Sequence, residues 1–178
     1  MVRGAARANT AANPQSPNLP SNKNVVDPRY WLMKSEPDEF SIDDLVRDRS
    51  TPWFGVRNYQ ARNFMRDQMK VGDGVLFYHS SCEVPGVYGI ARVTGKPHPD
   101  LTQFDRKSPY YDPKSKKEDP RWILVDVGIV KKTRAMPLEE MRGYRELQDM
   151  VVLRRGNRLS ITPVAPHEWR FILELLGG

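Results

Sequence analysis

Between Arg121 and Lys132, the apolar residues Ile123, Val125, Val127 and Ile129 recur at every second position. That is the period of a β-strand with one buried face, and such a strand requires a sheet to pair with. Candidate partners are Arg29–Lys34, Val75–Tyr78 (too apolar for a surface), Gly86–Val93 and Arg158–Thr162. Short helices fall between them. Ser41 caps one over Ile42–Val46, with Asp43 and Asp44 in its first turn. Asn58 opens another, reaching about Met69, whose buried face carries Ala61, Phe64, Met65 and Met69. A third starts at Pro137 and runs to Met141. The last spans Pro166–Leu176, with Trp169, Ile172, Leu173 and Leu176 inward. Residues 95–120 are polar and interrupted by prolines, which suits a long loop crossing one end of the sheet. With no βαβ alternation, the pattern predicts an α+β fold: a small barrel of mostly antiparallel strands with short helices at its rims.

At 178 residues the chain accommodates one ordinary domain. Residues 1–24 contain no aromatic and no acidic side chain, so the segment 1–28 reads as a disordered basic tail and 29–178 as the folded domain. The tail lacks the apolar core of a signal peptide, and no run approaches membrane-spanning length. Cys82 is the lone cysteine, which excludes an internal disulfide and fits an intracellular protein. Net charge is +6, but Arg3, Arg7 and Lys23 of the tail account for half of it. Contact with nucleic acid therefore has to come from a local patch, with a modest salt dependence.

The segment Thr51-Pro-Trp-Phe-Gly-Val-Arg-Asn58 supplies such a patch. It places two aromatics and a glycine before a helix start, with Arg57 inside it and Arg62 just beyond. Aromatic wall, bare backbone and positive helix terminus together suit a flat ligand beside a phosphate. Trp53 stands outside any periodic run, in a Pro-flanked loop with no element of its own to pack on. Trp31, Phe77, Trp122 and Trp169 read instead as core. Nothing here is a convincing nucleophile. His79 and Ser80 are neighbours on an extended chain and point to opposite faces, and no nucleophile-elbow motif or orienting carboxylate accompanies them. The acidic groups around Glu36 and Asp43 lack histidine partners or EF-hand spacing. The expectation is a binding pocket with no catalytic residue, metal or cofactor. The basic run Arg154-Arg155-Gly-Asn-Arg158 reads as a solvated turn that can also grip a nucleic-acid backbone.

Five ordered blocks go further: Tyr30-Trp-Leu-Met-Lys-Ser-Glu-Pro37, Trp53-Phe-Gly-Val-Arg-Asn-Tyr-Gln-Ala-Arg-Asn63, Gly74-Val-Leu-Phe-Tyr-His-Ser80, Tyr110-Tyr-Asp-Pro-Lys-Ser115 and Met150-Val-Val-Leu-Arg-Arg155. Together they resemble the EVE domain over about residues 29–177. The resemblance implies a PUA-like β-barrel, related to YTH and ASCH domains, that binds modified bases: modified cytosines in DNA first, modified RNA as the alternative. An enzyme of nucleotide or RNA metabolism is the more distant third reading. Carried over, the family pocket takes Trp53 as a wall and Ser35, Glu36, Gly55, Val56 and Asn58 near the base edge. Tyr78, His79 and Ser80 close the rim, and Met150 and Leu153 form an apolar lid. Lys34, Arg57, Arg62, Arg154 and Arg155 are the expected backbone contacts. Many members carry an acidic residue directly after the tryptophan, where this chain has Phe54. The implied partner is nucleic acid, with no membrane, and the protein is expected to be a monomer.

Overall fold

The computed structural model describes residues 29–177; the expected tail over 1–28 lies outside the described residues. The chain opens with strand β1 (Tyr30–Ser35), which alternates its side chains between two cores. Trp31 and Met33 enter one core and Leu32 the other. Helix α1 (Ile42–Asp48) starts as its sequence dictates. Ser41 Oγ accepts from the Asp44 N–H, and the Asp44 carboxylate accepts from the Ser41 N–H at 2.8 Å. A three-residue strand, β2 (Ser50–Pro52), follows and was not expected. Asn58 caps α2 (Tyr59–Asn63), which continues as a π-turn over Phe64–Gln68. Ala61, Met65 and Met69 are all buried along it.

Strands β3 (Gly74–His79) and β4 (Gly86–Val93) form the central hairpin. The predicted strand over 121–132 divides at Val125 into β6 (Ile123–Leu124) and the long β7 (Asp126–Pro137). The division has a cause, since the Val125 carbonyl accepts the Trp53 N–H at 2.9 Å. Strand β5 (His98–Pro99) pairs with β6 at the start of the long loop. Helix α3 (Leu138–Arg142) starts one residue later than expected, with Pro137 as its N-cap. Strand β8 (Ile161–Val164) begins three residues past the predicted start, because Asn157 uses its side chain to shape a turn through Val151 and Leu159. Helix α4 (Pro166–Leu175) closes the fold, with Glu168 accepting from the Ala165 N–H.

The main sheet has the order β2-β7-β4-β3-β1-β8, with only β1 and β3 parallel. It is the mixed, mostly antiparallel sheet that the pattern predicts, and it curls without closing: β2 and β8 remain as edges. One face packs Trp31, Met33, Trp53, Val75, Phe77 and Val127 against α1 and α2. The opposite face packs Leu32, Leu76, Tyr78, Val87 and Met136 against Met141, Met150, Trp169 and Ile172.

Candidate nucleic-acid interface

A cavity of about 670 Å³ opens where the sheet fails to close, within the size range of ligand pockets. Its walls come from both edges of the sheet. Thr51, Pro52 and Trp53 arrive from β2, and Arg158 and Ser160 from the approach to β8. The end of β1 adds Lys34, Ser35 and Glu36, with Ser80 and Ser81 beyond β3.

Trp53 is not the free loop residue expected from sequence. It is only 7% exposed, its N–H continues the strand ladder onto Val125, and its ring meets Phe77 edge-on at 5.6 Å. The indole is thus pinned from behind while still lining the hollow. Phe54, the next residue, is 50% exposed and rests edge-on against Tyr110 at 6.0 Å. Gly55 separates them from the rest of the loop with φ +82°, and a Cβ there would lie 2.7 Å from Tyr110 Cζ. Left-handed backbone and close approach both demand glycine at this position.

The loop is held by a polar clamp. Asp100, 2% exposed, accepts from the Gly55 N–H at 3.0 Å and from the Arg57 guanidinium at 2.9 Å. Burial works against its ionisation, but hydrogen bonds from Thr102, Arg57 and Gly55 outweigh that and hold the carboxyl below its ordinary range. Arg57 also donates to the Tyr110 carbonyl and to Thr102, and its guanidinium lies 5.4 Å from the Tyr110 ring and 5.2 Å from that of Trp122. Arg57 lines the cavity as a buttress, with its donors already committed.

Charge around the cavity is mixed. Glu36 accepts from Ser81 Oγ at 3.0 Å, and Ser81 adopts a left-handed φ of 53° to reach it. Glu39 is the second carboxylate and Arg158 the exposed cation. Partial burial lowers the pKa of Lys34, whose ammonium lies 5.9 Å from the Tyr78 ring.

Of the residues predicted to form the site, Lys34, Ser35, Glu36, Trp53, Phe54, Gly55, Val56, Arg57 and Ser80 come together around this one cavity. The others do not. Tyr78 points to the opposite face of β3 and joins the second core, where Met150 and Leu153 also lie, so the expected apolar lid sits behind the sheet. His79 is buried under α1: its Nε2 accepts the Ile42 N–H at 3.0 Å and its ring stacks on Tyr88 at 4.1 Å. Burial lowers its pKa. Asn58 spends its side chain on the Ala61 N–H. Arg62 donates to the Arg121 carbonyl and lies over Tyr59. Arg154 and Arg155 are exposed but outside the lining, and Arg158 of the same run takes that place. Sequence reasoning missed Phe40, Glu39, Asp100 and Tyr110. For Tyr110 a signal existed in the block Tyr110–Ser115; for Asp100 there was none.

Comparison with known proteins identifies the family. The profile of the EVE domain matches residues 29–175. Human thymocyte nuclear protein 1 is 41% identical over 186 residues, spanning 92% of this chain and 81% of its own length. The chain belongs to the EVE domain family. Among solved structures, a hypothetical protein from Leishmania major is similar with a TM-score of 0.81 and 47% identity, covering 85% of this chain and 96% of its own. Human THYN1 in complex with 5-methylcytosine-containing DNA is similar with a TM-score of 0.78 and 42% identity, covering 84% of this chain and 98% of its own. This EVE domain therefore shares its fold with a relative crystallised on modified DNA.

Proposed function

We propose that this EVE domain is a non-enzymatic reader of a modified nucleobase, with modified cytosine in DNA as its target. One observation carries the reading: a pinned indole, Trp53, lines a cavity shared by both sheet edges, in a chain similar to human THYN1, which was solved with 5-methylcytosine DNA. Chemistry inside the cavity supports a base over a phosphate. Glu36 and Glu39 repel an anion, whereas a carboxylate accepts readily from the cytosine amino group. Arg158, exposed at the cavity, supplies positive charge for the flanking backbone.

Energetics set what the site must do. Extruding a base from a duplex costs a few kcal/mol, and stacking on an aromatic returns ~1–3 kcal/mol. One buried methyl adds ~0.8 kcal/mol, about fourfold in affinity. Preference for a methylated over a plain base is therefore modest unless the unmodified base leaves a group unpaired. Glu36 is assigned to the exocyclic amine, the role that the residue after the tryptophan cannot fill when it is Phe54.

Titration of one oligonucleotide carrying cytosine, 5-methylcytosine, 5-hydroxymethylcytosine or thymine tests the reading, with RNA of the same sequence as competitor. A modified cytosine is expected to bind tightest. Glu36→Gln should narrow the gap between cytosine and thymine by about 1–3 kcal/mol. Equal affinity for all four bases overturns the proposal.

A further inference from the structure

Phe54 lines the cavity, yet its phenyl ring is half-exposed and has no polar tip. Single exposed apolar residues are ordinary on protein surfaces, but this one is held in place. Tyr110 supports it edge-on, and Tyr110 is itself packed against the Gly55 backbone and lies 5.4 Å from the Arg57 guanidinium. The left-handed turn at Gly55 fixes the loop just past it. Trp53 and Phe54 are consecutive, yet the first is pinned inward on Phe77 and the second faces solvent.

We infer that Phe54 is a wedge, entering the base stack at the position that the extruded base leaves. A base drawn into the cavity leaves a gap in the duplex beside the cavity mouth, and apolar side chains inserted between base steps are an established way to occupy such a gap. Phenyl suits the task because it stacks on either neighbouring base without hydrogen-bond preference. A rigid support lowers the ordering cost of presenting it. The wedge rests on the reader function proposed above, and it makes Phe54 a determinant of strand state: it favours duplex targets, whereas Trp53 serves any strand that delivers the base.

Phe54→Ala separates these roles. The probes are a 5-methylcytosine duplex, the same modified strand unpaired, and the duplex with 2-aminopurine next to the modified base as a reporter of unstacking. Loss of about tenfold in duplex affinity is expected, one stacking contact's worth, and a clearly smaller loss on the single strand. Phe54→Tyr, which keeps the stacking ring, should retain most of the duplex affinity. In the wild type, 2-aminopurine fluorescence should report the inserted ring, and that signal should change in Phe54→Ala. Equal loss on duplex and single strand, or no loss on either, overturns the wedge while leaving the reader intact. A wild-type protein that does not prefer the modified base in either strand state overturns the reader itself.

Discussion

The two faces of the central sheet are built from the same strands and do opposite things. Behind it, Leu76, Met136, Met141, Trp169 and Ile172 are sealed by α3 and α4. In front, Met33, Phe77 and Trp53 pack just as tightly on one side, yet their layer ends at a cavity. Packing density alone thus does not mark a binding face. What marks it is the clamp of Asp100, Arg57 and Gly55, polar groups spent on fixing a short loop beside an apolar wall.

That contrast can be broken experimentally, starting with the largest effect. Trp53→Ala and Ile172→Ala should each destabilise the fold by about 2–5 kcal/mol, since both delete buried side chains, as read by urea unfolding. Only Trp53→Ala should also abolish binding of a 5-methylcytosine oligonucleotide at a temperature where both variants stay folded. If Ile172→Ala weakens binding equally, the two faces are not functionally distinct. Asp100→Asn should cost about 1–3 kcal/mol and weaken binding several-fold, without its residue touching the base. An unchanged affinity would show that the clamp is not what orders the loop. His79 gives the smallest effect. Burial lowers its pKa, so the unfolded chain takes up the proton first as pH falls, and stability declines below about pH 6.5. His79→Gln should flatten that part of the decline between pH 7.5 and 5.5, with the base preference intact.

Much of this architecture was legible in the chain. The alternation in 123–129 marked strand, though the structure divides it into β6 and β7 and carries β7 on to Pro137, and Ser41 and Asn58 marked helix starts to the residue. Legibility ended where structure depends on pairs distant in sequence. Neither β2 nor the break at Val125 has a local signature, because each exists through its contact with the other. The site shows the same limit. Trp53 and Gly55 announce themselves by residue type, whereas Asp100 is an ordinary aspartate until the fold brings it to a backbone N–H 45 positions away. Tyr78 fell outside the pocket because successive strand residues face opposite ways, and it lies on the sealed side, where Met150 and Leu153 of a short helical turn pack as well.

The unclosed sheet has a mechanical consequence. A heterocycle seated in the gap spans two borders that share no ladder of their own, and so acts as a keystone between them. Occupancy should slow amide exchange at β2 and at β8 together, although nearly the whole width of the sheet separates them in strand order.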